Sequence, residues 1–485
     1  MKKYHGLKSI KINTNERSLV YNFFSKNKSF AKILSLLILS LLLISCASLP
    51  GEHKASIKSA QEGDYEKSLE FIDKKKKTIY GNKSEVLYQL DTGILNHYNQ
   101  NWQASIKHFS EAETKIYELY TKSITAQIGS FILNDNVLDY SGEDYEDIYL
   151  NVFNSLNYYH LGKIDDAIVE TNRAINKSKN LTIKYEEEIL KARNATKEAE
   201  EKNGKKSDTD SLPKASITFH DSALVEYLAM LYRRGILDMD GAYTNQRMIK
   251  DAYMTQAQLY DFEMPASVNE ELSIPKDKAR LNVIAFSGIS PVKDEITIKD
   301  YSGYSSYSFS LALPELIKNP YTLTDIHVTA TNVETGEVYT SSLELLESLE
   351  NVAVDTFLLH RDVIYAKSIA RAITKSIASD VGMVVGEEMS KSGDSNVAAV
   401  GSLIQIFTMV GNVSRQVTDH ADMRISRYFP ARASVTGINL DEGIYDIVID
   451  YYEKNHKLVR SDIRENIVIK KGKLNLIESA WLGGN

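Results

Sequence analysis

Three stretches of the chain share one spacing, and that spacing limits the possible folds more than any other feature. Gly63-Asp64-Tyr65-Glu66-Lys67-Ser68-Leu69, Asn101-Trp102-Gln103-Ala104-Ser105-Ile106 and Gly162-Lys163-Ile164-Asp165-Asp166-Ala167-Ile168 each run turn, bulky residue, two spacers, small residue, aliphatic residue. A small residue at a fixed offset lets two helices approach closely, and bulky ones plug the gap between neighbouring hairpins. Gly93, twelve residues before Ser105, fits the small position of a first helix, and Phe109 and Ala112 fit the second. Thr171 and Ala174 take those two places in the third copy, and a weaker fourth runs from Ser222 through Gly241-Ala242-Tyr243 to about Tyr260. The spacing predicts helical hairpins of tetratricopeptide type over residues 57–262. Their concave face would form a partner groove, with Tyr65, Trp102, Phe109 and Tyr158 as the candidate contacts. A charged stretch near 184–211 reads as a solvated insertion.

Near residues 264–275 the period changes from helical to alternating. Strands are predicted at 281–286, 295–299, 307–312, 326–331, 337–340, 433–438, 443–452, 465–470 and 474–479, with a glycine-closed hairpin at Glu334-Thr335-Gly336. A long helix is predicted over 343–389 and an apolar one over 397–410, which at fourteen residues is short for a membrane span of roughly 20. The expected fold class is therefore an α-helical repeat half followed by an α+β domain over 276–485.

The N-terminus has a different character. Residues 1–32 hold eight Lys/Arg and one acid, and residues 33–44 are apolar except for two serines. That run ends in Leu43-Ile44-Ser45-Cys46, the order of a lipobox, and Cys46 is the only cysteine of 485 residues. A basic stretch, an apolar core and a small-residue cut site have the layout of a secretory signal. The reading is a signal peptide over 1–45, lipid on Cys46, and a short tether over 46–56. The expected location is the cell envelope, with the outer membrane favoured because Ala47 follows the cysteine. Several acyl chains hold a protein firmly where one is marginal. Loss of residues 1–45 leaves 49 basic against 64 acidic residues, near −15. Such a balance argues against nucleic acid, which needs clustered Lys/Arg.

No catalytic set stands out. His360-Arg361-Asp362 spells a kinase catalytic-loop tripeptide, but the position five after Asp362 is Lys367 rather than Asn, and no glycine-rich loop precedes it. The histidines show no metal-ligand spacing, and no P-loop or nucleophile elbow is present. His420 with Asp422, and the Tyr/Ser run at 301–310, are read as structural. No metal and no cofactor are expected.

The chain resembles a family of uncharacterised tetratricopeptide-bearing bacterial lipoproteins. Four segments carry the resemblance: Ile148–Ala174, Gly288–Lys293 with Ala312-Leu313-Pro314, Ile364–Lys375, and Asp422-Met423-Arg424 through Tyr428-Phe429-Pro430-Ala431 to Gly443-Ile444-Tyr445. The resemblance implies an envelope lipoprotein and supplies no activity or catalytic residue. Taken together, the expectation is a membrane-anchored, non-enzymatic scaffold holding a protein partner through its repeats. The alternative is a regulator or enzyme acting on envelope polymers such as peptidoglycan.

Overall fold

The computed structural model describes residues 49–125, 138–202, 218–299, 310–361, 364 and 421–483. Residues 1–54 make one compact unit, described only from residue 49, and residues 55–485 make a second. The lipobox and the segment predicted as an apolar helix at 397–410 lie outside the described residues.

Four helical hairpins open the chain: α1 (Leu49–Gln61) with α2 (Tyr65–Lys74), then, after the short α3 (Lys76–Ile79), α4 (Glu85–Tyr98) with α5 (Trp102–Thr125), α6 (Asp144–His160) with α7 (Ile164–Lys202), and α8 (Ala223–Gly235) with α9 (Met239–Thr255). Each pair is joined by three residues whose middle one has positive φ: Gly63 at +82°, Gln100 at +59°, Gly162 at +71° and Leu237 at +67°. The turns are closed by the same two bonds. In the second hairpin Gln100 N donates to His97 O at 2.9 Å and Asn101 N to Asn96 O at 2.9 Å, and the equivalents recur at 63/64, 162/163 and 237/238. This left-handed closure satisfies carbonyls that a helix end would leave bare.

The offsets read from the sequence recur in space. Three residues into each second helix stand Ser68, Ser105, Ala167 and Ala242, all fully buried. Ser105 Oγ donates to Gly93 O at 2.8 Å, and Ser68 meets Ser56, its own residue twelve back, at 2.7 Å between hydroxyl oxygens. That contact belongs to a helix, which corrects the expected tether at 46–56: the chain is helical from Leu49 because Ser56, Ser59 and Ala60 have a packed face to bury.

After the short α10 (Ala266–Glu270) the chain turns to strands: β1 (Ala279–Ser287), β2 (Val292–Lys299), β3 (Ser310–Ile317), β4 (Leu323–Asn332), β5 (Val338–Ser342), β6 (Glu344–Ser348), β7 (Arg432–Leu440), β8 (Gly443–Glu453), β9 (Lys457–Ile469) and β10 (Asn475–Trp481). A central sheet has the order β10-β1-β7-β6, an outer sheet β5-β4-β8-β9, and β2-β3 form a hairpin. Strand β10 runs parallel to β1, with Leu281 opposite Asn475, and β7 runs antiparallel on the other side.

All nine residues of β1 are buried. Leu281, Val283 and Ala285 pack toward the outer sheet, and Ile284 and Phe286 toward the helices. Alternation of side chains across a strand makes this a three-layer stack of helices, central sheet and outer sheet. The helical region and the α+β region, read as separate domains, thus share one core: Phe153 of α6 lies 4.9 Å from Phe286 of β1 and 5.9 Å from Phe429. No helix among the described residues is long and apolar enough to cross a membrane.

Residues 344–348, expected within a long helix over 343–389, are strand β6, and helix begins only at residue 349. Tertiary contacts outweigh helix propensity here. In the strand, Glu347 is buried beneath Tyr149 and accepts from Ser222 Oγ at 2.7 Å, Tyr260 OH at 2.7 Å and Leu224 N at 3.1 Å. β9 starts eight residues before the expected strand at 465–470, because Leu458–Arg464 form a half-exposed edge segment without clean alternation.

A Cβ built on Gly93 would lie 2.7 Å from the ring of Phe109, which is itself fully buried. Alanine in a helix normally gains about 1 kcal/mol over glycine, whereas overpacking costs about 1–3 kcal/mol. Gly93→Ala is therefore expected to lower the unfolding free energy measured in urea. Adding Phe109→Leu should restore part of it.

Candidate functional site

The turns that end the inner helices face the last two strands, and between them lies a cavity of about 430 Å³. Its position follows from helix and strand geometry. His97 and Tyr98 close α4, Trp102 opens α5, and Tyr159 and His160 close α6. On β10, Ile477, Ser479 and Trp481 point to the outer sheet, where Ser479 Oγ accepts from Tyr451 OH at 2.7 Å. Leu476, Glu478 and Ala480 therefore point to the helices. Glu478 is thus carried, as the one acid on an otherwise apolar and small face, to the ends of two helices.

Both oxygens of Glu478 meet an imidazole. His160 Nε2 lies 2.7 Å from Oε1 and His97 Nε2 lies 3.3 Å from Oε2. Behind His97 a chain of bonds fixes its ring. Ser105 Oγ donates to Gly93 O, so its oxygen accepts from Asn157 Nδ2 at 2.8 Å, and Asn157 Oδ1 faces His97 Nδ1 at 2.8 Å. Nδ1 therefore carries a proton, and the approach of Nε2 to a carboxylate is attractive when that nitrogen is protonated too. Both histidines sit in a last helical turn, where the dipole favours a cation. Burial opposes ionisation of Glu478, but the two imidazoles overcome it and hold its carboxyl well below the usual range. His160 is stacked on Trp102, centroids 4.3 Å apart at 12°. Among the described residues no three His, Cys, Asp or Glu side chains are arranged to hold a metal ion.

The residues proposed for a partner groove are distributed differently. Phe109 is fully buried against Gly93 and presents nothing to a partner. Tyr65 is half-buried, its hydroxyl donating to Ala480 O at 3.0 Å and its ring 5.3 Å from Tyr98. Tyr158 is half-buried and outside the cavity wall, so only Trp102 of the four lines it. The face of the inner helices is covered by the chain itself. Every residue from Glu146 to Asn157 except Asp147 is buried in α6, as are Ala223–Tyr232 of α8, beneath the central sheet and residues 421–431. His97, His160 and Glu478 escaped sequence reasoning. Their signals were two histidines placed just before hairpin turns and one acid interrupting an alternating strand.

A second group of ionisable residues is sealed in the core. Asp91 accepts from Tyr80 OH at 2.9 Å and Ser426 Oγ at 2.6 Å, and Glu146 accepts from Tyr140 OH at 2.7 Å and Ser426 N at 2.6 Å. Burial pushes both carboxyls up to about 7, with the nearby Glu143 carboxylate adding to the effect at Glu146. Glu143 itself, opposed by burial but paired with Lys293 and His360, is held down at about 2. Shifted acids often mark active sites, yet these tie residues 421–431 to the helices. Asp422 of the expected His420–Asp422 pair is taken up by Arg424, 2.7 Å from Nη2 to Oδ2, and His420 lies outside the described residues.

Asp91 and Glu146 give a pH signature of definite sign. Between their unfolded values of about 4 and the folded value of about 7, the native state holds protons that the unfolded chain has released. Their contribution to stability is complete below that window and lost as pH rises through 7. The urea unfolding free energy is expected to fall from pH 5 to pH 8, and the Asp91→Asn, Glu146→Gln double variant should show a shallower fall.

Compared with known proteins, the chain matches no family model, no curated protein and no solved structure.

Proposed function

We propose that this chain is a bacterial envelope lipoprotein, lipidated at Cys46, that acts without catalysis by binding a small ligand in the cavity beside Glu478. The observation that carries the binding reading is the cavity. Its volume of about 430 Å³ lies in the range of roughly 300–1,000 Å³ typical of small-molecule sites, and it combines apolar walls with a few convergent polar groups. The anchoring reading rests on the basic, then apolar, N-terminus and on Leu43-Ile44-Ser45-Cys46.

We read the hairpins as degenerate tetratricopeptide repeats. The recurrent three-residue turn and the twelve-residue pairing of Gly93 with Ser105 and of Ser56 with Ser68 support this. In a stack of this kind the concave face receives a partner. Here the chain's own sheet covers it, so a protein partner would use the outer helices α5, α7 and α9 instead.

Lipidation has a direct test. Cells expressing the full chain are fed an alkyne fatty acid, and the protein is expected to take up the label and to be cut before residue 46. Cys46→Ser should abolish both. A labelled Cys46→Ser chain would overturn the assignment.

A further inference from the structure

The cavity walls are chemically two-sided, and this narrows the ligand. Trp102 and Tyr159 supply aromatic surface, and Leu476 adds aliphatic surface. Glu478, His160 and Arg464 supply charge and hydrogen bonding. Arg464 pairs with Asp462 at 3.0 Å and Glu478 with two imidazoles, so the ionic groups largely balance. A strong anion would meet Glu478, and a strong cation would meet Arg464 and the imidazoles. A wholly apolar ligand fits no better. Glu478 Oε2, although 3.3 Å from His97 Nε2, accepts no aligned hydrogen bond, and Arg464 Nε is likewise buried without an acceptor. Covering the charged and hydrogen-bonding groups of this wall with a wholly apolar ligand would cost their hydration and return no bond.

An uncharged ring with one apolar face and a hydroxylated edge meets both demands. We propose that the cavity is a saccharide-binding site. The C–H face of a sugar ring lies against the aromatic wall of Trp102 and Tyr159. A sugar hydroxyl donates to Glu478, and ring or hydroxyl oxygens accept from His160 and Arg464. This rests on reading the cavity as the ligand site.

The test is calorimetric titration of the detergent-solubilised full chain with glucose, maltose and N,N′-diacetylchitobiose. A parallel titration, blanked against detergent alone, uses the uncharged apolar dye N-phenyl-1-naphthylamine. At least one saccharide is expected to bind saturably. Trp102→Leu and Glu478→Gln should weaken that binding at least tenfold with an unchanged circular dichroism spectrum, and Trp102→Phe should keep most of it. If Glu478→Gln fails to fold, the two Trp102 variants decide. Saccharide binding that survives Trp102→Leu would overturn the proposal. If no saccharide binds but the dye does, and Trp102→Leu abolishes its binding, the cavity remains a ligand site and the saccharide assignment falls. Absence of both signals removes both readings.

Discussion

The architecture depends on one strand that has no wet face. Because β1 is buried along its whole length, the central sheet needs cover on both sides, and the chain supplies a helical layer on one and a second sheet on the other. Burying a strand that includes Arg280 and Asn282 adds a second demand. Glu271 meets it, lying 2.5 Å from Arg234 of α8 and 2.9 Å from Arg280 of β1, while Arg234 also donates to Asn282 Oδ1 at 2.6 Å. The acid sits between two cations from different layers. Gly437 on β7 leaves the room, since a Cβ there would lie 2.3 Å from the Arg280 guanidinium. A buried pair of this kind adds little net stability, but loss of either partner would leave an uncompensated charge in the core.

Covering β1 uses up the surface that a helical stack would otherwise offer. The inner helices α4, α6 and α8 are buried almost from end to end. What remains accessible on that side is the row of hairpin turns, where helix dipoles, terminal histidines and the edge of the sheet meet. The open cavity lies at the end of the helical layer, away from its covered face. The His97–Glu478–His160 arrangement gains there from two helix termini at once.

The order of helices then strands was legible in the sequence because its periods are long and regular: hairpins with repeated offsets, then alternating segments such as Leu281–Phe286. Gly93, Ser105 and Phe109 were read to their neighbours, since a close helix crossing demands a small residue in register. Strand β6 was not legible, because a strand containing Glu347 looks polar until Tyr149, Ser222 and Tyr260 are brought around it. The site was less legible still. Of its residues the repeat spacing singles out only Trp102, and Glu478 lies 318 residues from His160. No local pattern connects an acid on the last strand with histidines at two helix ends.

Strand β10 sits beside β1, although nearly two hundred residues separate them in the chain. Until it docks, Phe286, Tyr159 and both histidines lack the wall that closes over them. The cavity is thus a long-range product of the fold: a chain in which β10 has not paired with β1 has hairpin turns but no opposing wall.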